Sequence, residues 1–163
     1  MTSMLRRVAV SLTVALGLMA GTAVAQEPAD FPYDGMIRID TEYDFPTLWS
    51  RLEGAVRDHE MLLLLQASAS RGAATRDIDI PGNGVMDIYR NDFAVRMLNA
   101  SVAAGWEAPM RFYMVEAETG TAALIYRLPS ARFAPYGSAE LDALGAELDE
   151  LFASIAAQTT EAQ

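Results

Sequence analysis

Apolar residues recur at helical spacing in three parts of the chain. The first helix is predicted to begin after Asp44, with its apolar positions three or four residues apart at Phe45, Leu48, Trp49, Leu52, Ala55 and Val56. A second helix is predicted over residues 92–104. A third is predicted after Ser138, with an apolar stripe at Leu141, Leu144, Leu148, Leu151, Phe152 and Ile155. Asp44 and Ser138 are residue types that cap helices, because their side-chain oxygens accept a backbone N–H of the first turn.

Short apolar or alternating runs between these helices predict β-strands. The predicted strands cover residues 36–39, 61–65, 76–80, 85–90, 110–116 and 121–128. The run over residues 61–65 is apolar at every position, which is typical of a buried strand. Residues 66–75 are small and polar, so we expect a flexible loop there. A glycine-containing turn at residues 118–120, between two alternating runs, predicts a β-hairpin.

The order of these elements is β-α-β-β-β-α-β-β-α. This order predicts an α+β sandwich, with helices packed on one face of a mainly antiparallel sheet. No repeat or linker divides the chain, so residues 36–158 are predicted to form a single domain. Residues 26–35, rich in proline and acidic side chains, are predicted to be an exposed leader, and residues 159–163 a disordered tail.

The first 25 residues have the order of a secretory signal peptide. Arg6 and Arg7 precede an apolar run over residues 8–20, and Ala23-Val24-Ala25 provides a small-residue cleavage site. The apolar run is shorter than the roughly 20 residues that a membrane-spanning helix needs. No cysteine follows the cleavage site, which excludes lipoprotein processing. We therefore expect cleavage after Ala25 and export of a soluble protein to the periplasm.

The composition excludes several classes of chemistry. The chain has no cysteine, one histidine (His59) and no lysine, since all 12 basic residues are arginines. These absences exclude a thiol nucleophile, a thiolate or multi-histidine metal site, Schiff-base chemistry and the lysine of a P-loop, and no cofactor is predicted. The formal charge of −10 repels phosphate backbones and anionic headgroups. We therefore expect no nucleic-acid partner and, after signal cleavage, no membrane partner.

A strand-to-helix turn at Arg90-Asn91-Asp92 is the first candidate site. The N-terminus of the following helix presents free N–H groups, which together with Arg90 could hold a small anion or carboxylate. The alternative is that Asn91 caps the helix and Asp92 lies favourably in its first turn. The sequence favours the cap, because Asp92 would repel an anion.

Two further clusters offer metal chemistry. One is a set of carboxylates on extended segments that could bind a hard cation: Asp77, Asp79 and Asp87. The other is a set of thioethers on predicted strands that could bind Cu(I): Met86, Met110 and Met114. The sequence favours a solvated strand face for the carboxylates and core packing for the methionines. His59 ends the first predicted helix, where the helix dipole would stabilise a protonated imidazole, so a structural role is expected there as well.

Several short motifs occur in the order found in one known family. They are Tyr89-Arg90-Asn91-Asp92 at the position of a Phe-Gly-Asn-Pro turn, Ala108-Pro109 before a strand, Glu118-Thr119-Gly120 in the hairpin, and Tyr126-Arg127-Leu128-Pro129 at the close. With them the chain resembles the domain of unknown function 302 family (DUF302). An Asp-His pair common in that family is replaced here by Ala67-Ser68-Ala69-Ser70. The resemblance implies a compact α+β domain with a TATA-binding-protein-like fold that is often dimeric, and it implies no established activity.

The candidates together favour binding over catalysis. Tyr89, Tyr113 and Tyr126 are predicted to line the sheet face away from the helices, as a ligand or partner surface or as a dimer interface. No Gly-x-Ser-x-Gly motif is present, and no catalytic residue is predicted. We hypothesise a non-enzymatic exported domain, acting as a homodimer on a protein or small-molecule partner, with ligand contacts from Arg90, Asn91, Tyr113 and Tyr126. The alternatives are a copper- or small-ligand-handling protein and a small enzyme of unknown reaction.

Overall fold

The computed structural model describes residues 31–161 of the 163-residue chain. The predicted signal peptide and the first half of the predicted leader lie outside the described residues. The strands are β1 (Met36–Asp40), β2 (Leu62–Ala67), β3 (Asn83–Tyr89), β4 (Met110–Glu116) and β5 (Ala122–Arg127). The α-helices are α1 (Phe45–Asp58), α2 (Ala69–Ala74), α3 (Asn91–Ala100), α4 (Pro129–Phe133) and α5 (Ala139–Thr160). Two 3-10 helices cover Val102–Glu107 and Ala134–Tyr136.

The strands form one antiparallel sheet in the order β1-β5-β4-β3-β2. The predicted β4–β5 hairpin is confirmed, with Gly120 at φ +83°, a left-handed conformation that glycine adopts without steric cost. In the register, Phe112 of β4 lies between Met86 of β3 and Tyr126 of β5. Residues that are paired across antiparallel strands point to the same face, so these three side chains share one side of the sheet.

Helices α1, α3 and α5 cover that side and enclose the hydrophobic core. Phe152 of α5 stacks on Phe112 with 4.9 Å between ring centroids, and Tyr126 lies 5.3 Å from Phe112. Such aromatic pairs stabilise a core beyond the area that they bury. The predicted α+β architecture, with helices packed on one face of an antiparallel sheet, is confirmed. The opposite face carries no helix within the described residues and is called the open face below.

The two long amphipathic helices begin at the predicted caps. The Asp44 carboxylate accepts the backbone N–H of Thr47 at 2.9 Å, and the Ser138 hydroxyl accepts that of Leu141 at 3.3 Å. Each bond satisfies one of the backbone donors that a helix N-terminus leaves without a partner. Local sequence therefore determines where both helices start.

The leucine run in β2 is not buried, contrary to the prediction. β2 is an edge strand that pairs only with β3, and its ladder shifts register between Leu63 and Leu65. Leu62, Leu64 and Leu65 are 56%, 55% and 45% exposed. An apolar run is typical of a strand whose two faces are both covered by other elements. One face of β2 is open, so the leucines on that face are exposed.

Residues 76–80 do not form the predicted strand. Asp77 has φ +56°, and the N–H of Ile78 bonds to the carbonyl of Ala73, which closes the end of α2 as a Schellman motif. Helix α2 itself occupies part of the predicted loop. Ser68 caps α2 by accepting the backbone N–H of Arg71, and the alanines of α2 have a high helix propensity.

Three helix boundaries also differ from the sequence-based prediction. Ser101 is extended, so α3 ends at Ala100 and a 3-10 helix follows it. Pro129 ends β5 as predicted but also begins α4, because its fixed φ suits the first helical position. Helix α5 extends into the predicted tail as far as Thr160, with Thr159 buried and its hydroxyl donating to Ile155 O at 2.7 Å, and residues 162–163 of that tail lie outside the described residues. Over residues 31–161, no helix combines the length and apolar character needed to cross a membrane.

Candidate functional site

The charges of the Arg90-Asn91-Asp92 turn neutralise one another. Arg90 Nε and Nη2 donate to the two carboxylate oxygens of Asp92 at 2.8 and 3.2 Å, and the guanidinium lies 3.9 Å from the ring centroid of Phe93. The hydrogen bond from Arg90 lowers the pKa of Asp92. Asn91 does not cap α3 as predicted. It is the first helical residue, and its exposed side chain accepts a long hydrogen bond from Tyr89 at 3.4 Å.

A small apolar cavity lies under this turn. Its volume is about 30 Å³, and its walls include Phe93, Met97, Met110 and Phe152. A space of this size holds only one or two water-sized molecules. Arg90 is already bound to residues of its own helix, Asp92 and Phe93.

The carboxylates proposed for a hard cation do not converge. Asp77 and Asp79 are exposed in the segment after α2, whereas Asp87 is buried on β3. Asp87 accepts two hydrogen bonds from Arg111, Nε to Oδ1 at 2.7 Å and Nη2 to Oδ2 at 2.9 Å. These bonds raise the pKa of Arg111. Among the described residues, no three histidine or acidic side chains come close enough to hold a metal.

Packing accounts for the methionines and for His59. Met86 and Met114 are fully buried and Met110 nearly so, all on the sheet face under the helices. His59 is the C-cap residue of α1, and its backbone N–H bonds to Ala55 O. The serines that replace the family's Asp-His segment are also structural: both hydroxyls of Ser68 and Ser70 lie within hydrogen-bonding distance of Asn83 O.

The three tyrosines predicted to share a face are divided between the two faces. Tyr89 and Tyr113 are half-buried on the open face, in register positions that alternate with the core residues. Tyr126 is only 5% exposed and faces the helices, where its ring packs against Phe112 and Phe152. Burial, followed by the charge of Asp149, raises the pKa of Tyr126. Tyr126 and Arg127 are consecutive residues of β5 and therefore point to opposite faces of the sheet. Arg127, and not Tyr126 as predicted, reaches the open face.

A groove of about 250 Å³ lies on the open face, between strands β4 and β5 and residues 31–35, which are called the N-terminal segment below. Its principal lining residues are Tyr33, Glu107, Arg111, Tyr113, Arg127 and Arg132, above a floor at Ile125. Tyr126 also borders the groove, although its side chain faces the helices. Of these residues, only Tyr113 and Tyr126 were predicted to contact a ligand. The alternation of residues along β4 and β5 is the sequence signal that places Arg111 and Arg127 on the same face as Tyr113.

Hydrogen bonds fix the arginines that line the groove. Arg132 Nε donates to Glu107 Oε2 at 3.0 Å, and the Tyr136 hydroxyl donates to Glu107 Oε1 at 3.0 Å. Desolvation, followed by the bond to Glu107, raises the pKa of Tyr136. Arg127 donates to the carbonyls of Asp34 and Ala131 at 2.9 and 3.3 Å. These bonds join the N-terminal segment, β5 and α4 around the groove.

Comparison with known proteins agrees with this fold. A crystal structure of an uncharacterised conserved DUF302 protein from Bacillus stearothermophilus is similar to the chain, with a TM-score of 0.68 at 16% sequence identity. The match covers 77% of this chain and 98% of that one. At this identity the likeness concerns the fold alone. No curated protein matches the chain. The family model for the domain of unknown function DUF302 matches residues 37–158, which is more than half of the sequence, and the chain belongs to that family.

Proposed function

We propose that this protein is an exported, non-catalytic binding domain that holds a small molecule in the groove on its open face. The observation that carries the proposal is the groove itself, where aromatic, apolar and charged side chains converge around about 250 Å³. Small-molecule sites typically combine a concave apolar surface with a few fixed polar groups. The open-face groove has this composition, whereas the cavity near Arg90 is too small for a metabolite.

The absence of an assembled catalytic group among residues 31–161 supports a binding role. No hydrogen bond joins the His59 side chain to a serine or a carboxylate within the described residues. Glu107, the one carboxylate in the described lining of the groove, is held by Arg132, and Asp87 is held by the lining residue Arg111. A general base needs a group that is free to take up a proton from the substrate.

We further propose that a second copy of the chain covers the exposed edge of β2. The strand carries Leu62, Leu64 and Leu65 at about half exposure and contains no charged residue. Two chains of formal charge −10 can meet at this edge without bringing like charges together. The other sheet edge, β1, carries Arg38 and Asp40. An exposed apolar edge strand is normally covered, and a two-fold axis pairs it with itself.

The groove is tested by an NMR screen of the mature protein against small aromatic and aliphatic compounds. We expect amide shifts to cluster on β4 and β5, and we expect Tyr113→Ala to abolish the binding that causes them. Tyr89→Ala is the matched control, since Tyr89 lies half-buried on the same face but outside the groove. A screen in which no compound shifts the groove residues would refute the proposed function.

The dimer is tested by light scattering after size-exclusion chromatography. We expect Leu65→Asp to give a monomer, because it places a buried charge in the interface. Leu98→Asp is the matched control, since Leu98 is exposed to 44% on α3, away from the sheet edge. A wild-type monomer, or a dimer that survives Leu65→Asp, would exclude the β2 interface.

Export is tested by cell fractionation combined with mass spectrometry. We expect the protein in the periplasmic fraction with a mature chain that starts at Gln26. A full-length chain retained in the cytoplasm would refute the predicted localisation.

A further inference from the structure

Positive charge is concentrated in the open-face groove, although the protein as a whole is acidic. Three of the ten residues that line the groove are arginines and only one is a carboxylate, in a chain with a formal charge of −10. A cleft lined by one sign of charge focuses the local field and attracts ligands of the opposite sign. The groove therefore favours an anion, in contrast to the rest of the surface.

Only one of the three arginines has no carboxylate partner among the described residues. Arg111 is paired with Asp87 at 2.7 Å, and Arg132 is paired with Glu107 at 3.0 Å. Arg127 donates only to two backbone carbonyls, which use two of the five N–H groups of its guanidinium and do not neutralise its charge. The described residues thus leave the groove with one cation in excess, which suits a ligand with a single negative charge.

The rest of the lining suits an aromatic ring. The guanidinium of Arg127 lies 5.4 Å from the ring centroid of Tyr33, whose side chain is 62% exposed. Tyr113 lies half-buried in the lining, opposite Ile125 in the register of β4 and β5, and Ile125 is only 1% exposed, so the ring surface that the groove offers comes from Tyr113 and Tyr33. Aromatic rings pack on such surfaces, and a planar guanidinium binds a carboxylate through two parallel hydrogen bonds.

We propose that the groove binds a small aromatic carboxylate, with the carboxylate on Arg127 and the ring against Tyr113. The size is adequate, since a cavity of about 150 Å³ accepts benzene and the groove measures about 250 Å³. This assignment rests on the proposed function, because it names the ligand class of the same groove. It extends that function by placing the recognition of the ligand on one arginine.

The test compares benzoate with benzyl alcohol, its neutral analogue, by NMR titration of the mature protein at pH 7. We expect benzoate to bind at least about tenfold more tightly. In Arg127→Gln, benzoate should bind about 10- to 100-fold more weakly, as expected for the loss of a charged hydrogen bond, whereas benzyl alcohol should change less than about twofold. Arg127→Lys should restore part of the affinity, because lysine keeps the charge without the bidentate geometry. Arg38→Gln is the control, since Arg38 is an ion-paired arginine on β1 outside the groove.

The outcomes separate this proposal from the proposed function. If benzoate and benzyl alcohol bind the groove equally, or if Arg127→Gln weakens both equally, the carboxylate assignment is wrong while the binding function stands. An equal loss for both compounds in Arg127→Gln would mean that Arg127 acts only through its hydrogen bonds to the carbonyls of Asp34 and Ala131. If other compounds of the screen shift the groove residues and benzoate does not, the ligand class is wrong. If nothing shifts them, the proposed function itself fails.

Discussion

Replacing Arg111 with methionine tests how the open face holds a buried charge. Asp87 is only 7% exposed, and both of its carboxylate oxygens accept hydrogen bonds from Arg111, whose own side chain is 54% exposed. Arg111→Met keeps an unbranched side chain of similar length but removes the cation. The Asp87 carboxylate then loses both of its hydrogen-bond donors and stays in poorly solvated surroundings.

Breaking a buried ion pair by removing one partner costs about 3–5 kcal/mol, because it leaves an uncompensated buried charge. Water that replaces the half-exposed arginine will solvate part of that charge, so we expect a loss of about 2 kcal/mol at pH 7.

Urea unfolding of the wild type and Arg111→Met at pH 7 measures this loss. Arg96→Met is the control, because Arg96 forms an ion pair with Glu147 in which both side chains are about half exposed. We expect a smaller loss of stability there. If Arg111→Met is as stable as the wild type, or loses no more stability than Arg96→Met, the buried charge of Asp87 does not depend on Arg111 and the reasoning is refuted.

Three further predictions concern the scaffold, and urea unfolding checks all of them. Gly84→Ala should lower stability by about 1–3 kcal/mol, because the added methyl would overlap Trp49 and lie 3.0 Å from Ala67 O. Gly54→Ala, with open space around it in α1, should instead raise stability by about 0.5–1 kcal/mol. Ser138→Ala should lower stability by about 1 kcal/mol through loss of the α5 cap. An unchanged midpoint would show that the cap observed at Leu141 N–H contributes nothing.

Local sequence accounts for the elements whose signals are strong and whose environment is conventional. The caps at Asp44 and Ser138, the helical apolar stripes and the hairpin turn at Gly120 all act within a few residues of chain, so pattern and turn chemistry are sufficient to place them. The same patterns predicted helices on one side of an antiparallel sheet. Absent residue types excluded whole classes of chemistry without any structure.

The predictions that failed depended on what lies next to an element rather than on the element itself. The leucines of β2 indicate burial, and only the strand order shows that β2 is an edge with an uncovered face. Asn91 is a typical N-cap residue, yet in the structure it is the first residue of α3 and Arg90 occupies the N-cap position. In both cases the residue type is compatible with two environments, and neighbours distant in sequence determine which one occurs.

The groove shows the same division between sequence and tertiary structure. Alternation along β4 and β5 determines that Arg111, Tyr113 and Arg127 face away from the helices, and this can be read from the sequence. Their convergence with Tyr33 and Arg132 depends on the N-terminal segment and α4 meeting across β5. Long-range contacts of this kind leave no periodic signal, because no regular spacing relates residues that are about 100 positions apart. The sequence therefore determined the elements and the face of each side chain, whereas the tertiary structure alone determined which side chains form the groove.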